Sequence, residues 1–332
     1  MISRSRCFRT AVRSLAEPTM SARLERSTPS ISEPEHNLKK EDCGMTNITR
    51  RRFLGSSMAA GAAWLSLPGR AGADDQEAIQ ASIAKFGGFR VGIQSNMLGT
   101  LSPEMEPMLG HVADVGLHWI EFAHWHYGVT EDADRIAEVQ ERLSRHAIRM
   151  EAYFLGEIEA DDVALRRTFQ FAKTNGVSVL VGQPTIEAFP ILNRLVDQFD
   201  IKVAVHNYGP GHRFDRIDDI LKAVQPWDAR IGYCLDTGHA MRSGECPVEA
   251  VRRMGPRLHG LHLREQVAIQ REPQPGEAII GEGGMDLPAL CRALHDAQFS
   301  GPLTLEMYYR PKDPLPPLRR SLQNLAQAAV VS

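Results

Sequence analysis

Short runs of β-branched and apolar residues recur from residue 90 onward: Arg90 to Gln94, Trp119 to Ala123, Arg149 to Phe154, Val177 to Gly182, Lys202 to His206, Arg230 to Asp236, Gly260 to Leu263 and Leu303 to Glu306. Each is short, and most are apolar on both alternating faces, as a strand buried in a parallel sheet requires. Between them apolar residues fall at helical spacing: Ile136, Val139 and Leu143, then Leu192, Leu195, Val196 and Phe199, then Ile217, Ile220, Leu221 and Val224, then Leu287, Leu290 and Leu294. Gly176 follows the segment Asp161 to Asn175 as a C-terminal cap, Gly116 does the same before the second run, and Pro190 stands near the start of its helix. Strand centres lie about 30 residues apart, close to one βαβ unit, and eight such units fill the ~250 residues of a (β/α)8 barrel. The pattern therefore predicts a single-domain α/β (β/α)8 TIM barrel. An open doubly wound sheet fits less well, because no Gly-rich phosphate turn follows the first strand. The step from strand seven to strand eight carries a Gly- and Pro-containing insertion, Val267 to Gly284, expected over the active face.

The start of the chain does not share this pattern. Residues 1–44 mix charges without apolar periodicity and read as a disordered leader or a start assigned too far upstream. In residues 45–73, Thr49, Arg50, Arg51, Arg52, Phe53, Leu54 and Gly55 lead into a weakly apolar stretch ending at Leu67, and Ala71-Gly72-Ala73 suits a signal peptidase. This segment resembles a twin-arginine export signal, too short and too rich in Gly, Ala and Ser to span a bilayer at ~20 apolar residues. The barrel is expected over 74–332, periplasmic or secreted, with the export machinery as partner and no stable membrane anchor. Of 38 basic and 41 acidic residues in the whole chain, 12 and 6 precede Asp74, so the remainder carries about −9 and is poorly suited to a nucleic-acid backbone. Only Cys234, Cys246 and Cys291 follow the signal, so stability is expected from the core rather than from disulfides.

The C-terminal ends of barrel strands converge on one mouth. The last four predicted strands each end near a metal-ligating type: His206 in Val-Ala-Val-His-Asn-Tyr, Asp236 in Tyr-Cys-Leu-Asp-Thr-Gly-His, His262 in Gly-Leu-His-Leu-Arg and Glu306 in Leu-Thr-Leu-Glu-Met-Tyr. Two imidazoles and two carboxylates suit Mn²⁺, Fe²⁺, Co²⁺ or Zn²⁺ better than Ca²⁺. One divalent ion is expected, Mn²⁺ first, with Co²⁺, Fe²⁺, Zn²⁺ and Mg²⁺ left open. Such an ion can hold adjacent oxygens of a hydroxy-ketone and stabilise the enediolate formed when the neighbouring carbon loses a proton.

Val-Ala-Val-His-Asn, Leu-Asp-Thr-Gly-His-Ala-Met-Arg-Ser-Gly, Leu-His-Leu-Arg, Gly-Glu-Gly-Gly-Met-Asp-Leu and Leu-Thr-Leu-Glu together resemble the sugar phosphate isomerase/epimerase superfamily, the xylose-isomerase-like barrels, over most of residues 88–312. The resemblance implies metal ligands on strands five to eight, falling on His206, Asp236, His262 and Glu306. It also implies that His239 and Arg264 contact substrate oxygens. One position departs from the pattern: ketose epimerases of the superfamily place a glutamate where His206 stands and pair it with the strand-eight glutamate as acid/base groups. Glu306 is then the leading base, and its opposite number would come from Glu151, Glu121 or His239. Glu121, His124 and Asn207 are further candidates for substrate contact, and Trp125, Tyr127, Phe154 and Tyr208 for stacking on a sugar ring.

These readings predict a small carbohydrate partner. No phosphate turn or Arg cluster marks strands seven and eight, which favours unphosphorylated sugars. The leading expectation is an isomerase or epimerase. The first alternative is a lyase or hydratase acting on 3-keto-glycosides, which needs one strong base rather than two; a non-catalytic sugar binder comes last. Oligomeric state is left open, a homo-oligomer included.

Overall fold

The computed structural model describes residues 73–99, 101, 104–272, 276–307 and 313–331. The leader and the export signal up to Gly72 lie outside the described residues. A helix α1 (Ala73–Lys85) precedes the first strand. The chain then alternates: β1 (Arg90–Gln94), α2 (Met105–Asp114), β2 (Trp119–Ala123), α3 (Ala133–Arg145), β3 (Arg149–Ile158), α4 (Asp162–Thr174), β4 (Val179–Pro184), α5 (Phe189–Phe199) and β5 (Lys202–His206). It continues with α6 (Ile217–Val224), β6 (Ile231–Asp236), α7 (Thr237–Arg242), α8 (Pro247–Met254), β7 (Leu258–Leu263), α9 (Leu287–Asp296), β8 (Pro302–Leu305) and α10 (Leu315–Val331). The eight strands are parallel and close into a barrel in sequence order, with β1 pairing β8 from Arg90↔Pro302 to Ile93↔Leu305. The single (β/α)8 TIM barrel expected from the periodicity is the observed fold. No helix among the described residues is long and apolar enough to cross a membrane.

Local chemistry explains the element ends. Asp132 caps α3 by accepting from the backbone N–H of Asp134 and Arg135, Asp161 caps α4 through Val163 and Ala164, and Asp286 caps α9 through Ala289. Gly116 and Gly176 stop the helices before them with φ of 76° and 73°, a region costly for residues with a Cβ. The helices bury Val139 and Leu143, or Leu192, Leu195 and Val196, in the main core between barrel and helix layer. Inside the barrel lie smaller residues: Ala123, Ala152, Val179, Val181, Ala204 and Cys234, with Phe154 near the mouth.

Two differences from the expected pattern bear on the site. β3 runs four residues past Phe154, and its added length pairs Gly156↔Gly182, Glu157↔Gln183 and Ile158↔Pro184 after a register shift. Gly156, at φ 70°, supplies that irregularity, and the glycine and glutamate there hide the extension in the sequence. The short helix α7 begins directly after Asp236, whose Oδ1 accepts from His239 N–H at 2.6 Å.

Candidate metal centre

Parallel pairing brings the ligand types together. His206 and Asp236 end β5 and β6, His262 is the penultimate residue of β7, and Glu306 follows β8 with its N–H donating to Leu263 O at 3.1 Å. Register aligns Asp236 with His262. All four side chains are buried, and one ligand atom from each lies within 4.8 Å of the others. His206 Nε2 is 3.0 Å from His262 Nδ1, 3.7 Å from Asp236 Oδ2 and 3.9 Å from Glu306 Oε2, while His262 Nδ1 is 2.7 Å from Glu306 Oε2. With metal bonds of about 2.0–2.2 Å, neighbouring ligand atoms lie roughly 3.0–3.5 Å apart, so modest rotations of these side chains fit a divalent ion. Asp236 Oδ2 is buried without a hydrogen-bond partner among the described residues, which its burial makes costly unless a cation is served.

Charge at the centre is strongly perturbed. Burial, reinforced by His262, pushes His206 down to about 3, so this imidazole is neutral with a lone pair to give. Burial also pushes Asp236 up to about 7, against the pull of Arg264. For His262 burial acts downward, but Cys234 and the carboxylates of Glu121 and Glu306 raise it well above the ordinary histidine value. Glu306 is raised by burial and lowered more by His262, ending at about 2.

Aromatic rings wall the mouth. Phe154 meets His206 edge-on with centroids 5.6 Å apart, and Tyr208 packs on His206 at 4.7 Å and on His239 at 5.2 Å. Nδ1 of His206 has no hydrogen-bond partner among the described residues, so this ring is held by packing. Trp125, half-exposed, stands edge-on to Phe154 at 6.0 Å. His239 is buried between two guanidinium groups: Arg242 Nη1 lies 2.9 Å from its Nδ1 and Arg264 Nη1 lies 3.2 Å from its Nε2. Burial first, and the neighbouring cations next, drive His239 well below the ordinary value, so it is neutral at the mouth.

Residues 109–328 match the family model of the xylose isomerase-like TIM barrel. The chain belongs to this family. An uncharacterized protein of Mycobacterium leprae (strain TN) is 24% identical over 243 residues, covering 61% of this chain and 83% of its own. Among solved structures, a D-allulose 3-epimerase from Methylomonas sp. is 16% identical over 72% of this chain and 98% of its own, with a TM-score of 0.58. L-ribulose 3-epimerase is 16% identical over 73% and 95%, with a TM-score of 0.58. At these identities the likeness carries the fold.

Within this xylose isomerase-like barrel, the other residues singled out from the sequence take varied places. His239 and Arg264 lie at the mouth beside the ligands. Glu121 does not face the mouth. It sits mid-strand on β2 behind His262, accepting from His262 Nε2 at 2.9 Å, Thr304 Oγ1 at 3.2 Å and Gln94 Nε2 at 3.4 Å. A carboxylate there favours the proton on Nε2 and leaves Nδ1 facing the cluster, so Glu121 lies behind His262 rather than at the mouth. Asn207 is likewise committed: its Nδ2 donates to Asp236 O at 3.0 Å and its Oδ1 accepts from Asp236 N–H at 2.7 Å, clamping β5 to β6. Glu151 lies at the opposite end of the barrel, the third residue of β3, where it accepts from Arg90 Nε at 2.9 Å. It cannot be a second acid/base group. His124 is exposed and lines a groove with Leu155, Ile158 and Leu165; no hydrogen bond, ion pair or ring contact joins it to the four ligands. Glu277, absent from the sequence reading, reaches the mouth from the insertion and pairs with Arg264, Nε donating to Oε1 at 2.7 Å. A lone glutamate in a Gly- and Pro-containing loop carries no periodic signal that would have flagged it.

Proposed function

We propose that this barrel is a divalent-metal-dependent enzyme that removes a proton beside the carbonyl of an unphosphorylated sugar, with isomerisation or epimerisation as the outcome. The observation that carries this is the convergence of four buried donor atoms from successive strands, one of them, Asp236 Oδ2, a carboxylate oxygen without a hydrogen-bond partner among the described residues. His206 Nε2, Asp236 Oδ2, His262 Nδ1 and Glu306 Oε2 would hold the ion, and a divalent ion there supplies charge that polarises adjacent sugar oxygens and acidifies the carbon between them. Glu306 is the group to take the proton. Burial pushes its carboxyl up but the facing His262 outweighs this, so the group is held ionised and ready to accept a proton. His239 and Arg264 are placed to bind substrate oxygens, and Phe154, Tyr208 and Trp125 offer apolar faces to a sugar ring. Arg264 and Arg242 are already engaged with Glu277 and His239, which favours a neutral sugar over a phosphorylated one. Structures of this fold described as D-psicose 3-epimerase and L-ribulose 3-epimerase support small ketoses as the substrate class.

A second outcome is favoured by one specific feature. With Glu151 at the far end and Glu121 behind His262, Glu306 is the one carboxylate of the original acid/base candidates that remains at the mouth. Elimination from a 3-keto-glycoside, with loss of the glycosidic oxygen, needs no second carboxylate. The deciding experiment is ¹H NMR in D₂O of the metal-loaded protein with free ketoses and 3-keto-glycosides. Deuterium uptake with an intact skeleton supports isomerisation or epimerisation, release of the aglycone with an enone signal supports the lyase, and silence from every substrate removes the enzymatic proposal. We further propose that the barrel works after twin-arginine export. Replacing Arg51 and Arg52 by Lys should retain the precursor inside the cell, and undiminished export would remove that proposal.

A further inference from the structure

The segment between β7 and α9 brings an acidic side chain to the edge of the metal centre. It leaves β7, turns at Gly276 with φ 81°, and returns so that Val267 N–H donates to Gly276 O at 3.0 Å and Gln266 bridges to Glu277. Glu277 thereby lands beside Arg264, whose Nε donates to its Oε1 at 2.7 Å and whose Nη2 approaches the same oxygen. Both side chains are largely buried, 8% and 13% exposed for Arg264 and Glu277. The stem of Arg264 is fixed by packing on Gly238, where a Cβ would meet its Cγ at 2.6 Å. The remaining terminal nitrogen, Nη1, lies 3.2 Å from His239 Nε2 and 3.9 Å from Asp236 Oδ2, a candidate ligand oxygen without a hydrogen-bond partner among the described residues. A buried guanidinium in this place competes with a metal: it attracts Asp236 and repels a dication through a poorly screened interior.

We propose that Glu277 is a positioning residue for the metal centre. By binding the Nε–Nη2 edge of Arg264 it holds the guanidinium off Asp236 and cancels its charge, which leaves Asp236 Oδ2 open to a divalent cation. The inference rests on the metal centre proposed above, and the test separates the two. Cation-stripped full-chain wild type, Glu277→Gln, Arg264→Met and the double variant are titrated with Co²⁺ against a competing chelator, with visible absorption as readout. Glu277→Gln should weaken Co²⁺ binding about tenfold or more. Arg264→Met should bind at least as well as wild type, and the double variant should stay within about threefold of Arg264→Met, because Glu277 acts through Arg264. Wild-type affinity in Glu277→Gln, or a double variant no tighter than Glu277→Gln, overturns the proposal. If Glu277→Gln does not fold by circular dichroism, the comparison of the double variant with Arg264→Met decides, equal affinity supporting the role and a large drop overturning it. A wild type that takes up no Co²⁺ removes the metal centre itself and the role of Glu277 with it.

Discussion

Glu121→Gln probes the orientation of His262 with little change in shape. Glu121 is buried and receives hydrogen bonds from His262, Thr304 and Gln94 at 2.9, 3.2 and 3.4 Å. A glutamine keeps one acceptor oxygen for His262 Nε2–H, but it replaces a bond to a charged acceptor, worth about 1.5–3 kcal/mol, by a neutral one of about 1 kcal/mol. Its amide NH₂ then faces Thr304 Oγ1, whose hydroxyl donates to the other carboxylate oxygen. The loss of roughly 1–2 kcal/mol falls on the basicity and orientation of His262, so metal affinity should drop about 5- to 30-fold, overlapping the 10- to 100-fold range typical of such outer partners. The assay is chelator competition for Co²⁺ or Zn²⁺ at neutral pH, with a thermal melt to show that the barrel is intact. Glu151→Gln is the control, since Glu151 pairs with Arg90 at the other end of the barrel and should leave metal affinity unchanged. A Glu121→Gln protein that binds metal within about twofold of wild type would refute the assigned tautomer and the reasoning built on it.

Glu306→Gln should lower turnover by about 10²- to 10⁴-fold, as measured by loss of deuterium exchange; unchanged exchange would remove Glu306 as the base. His206→Glu substitutes a hard oxygen donor for a neutral imidazole and should shift preference toward Mg²⁺ and Mn²⁺ relative to Zn²⁺; an unaltered order of affinities in competition titrations would show that His206 is no ligand. Away from the site, Asp228 accepts from Arg230 Nε and Nη2 and from Arg230 N–H, and these bonds hold its carboxyl at about 2. Because the folded value is depressed, this stabilisation is present above about pH 4 and is lost as pH falls toward 2, amounting to no more than about 1 kcal/mol after solvent screening. Urea unfolding at pH 5 and pH 2 should therefore show Asp228→Asn losing less stability than wild type over that interval, and parallel losses would contradict the assignment.

The barrel was legible because its parallel strands are buried on both faces and separated by helices with a clear apolar stripe. The cluster of four candidate ligands was legible because parallel strands end together, so a residue type at a strand's C-terminal end is also a position in space. The positions that went elsewhere depend on depth and parity. Glu121 shares the inward face with Ala123 two residues on, which buries it beneath the centre. Glu151 lies near the start of β3 at a register shift, where Ile120 faces Met150 and Glu121 faces Ala152, an irregularity that the alternation along the chain does not reveal. Asn207 follows the strand end and is used up by the backbone of Asp236, a cross-strand partnership no single segment reveals. Glu277 and α7 come from loops whose course is set by tertiary contacts, with the Gly276 turn as the nearest local sign.

The most direct measurement is X-ray absorption fine structure on full-chain protein loaded with Co²⁺ or Zn²⁺. A centre built by His206, Asp236, His262 and Glu306 predicts about one ion per chain with two imidazole nitrogens and carboxylate oxygens at about 2.0–2.2 Å, and one imidazole fewer in His206→Ala. Failure to retain a stoichiometric ion, or a shell without imidazole scattering, would contradict it.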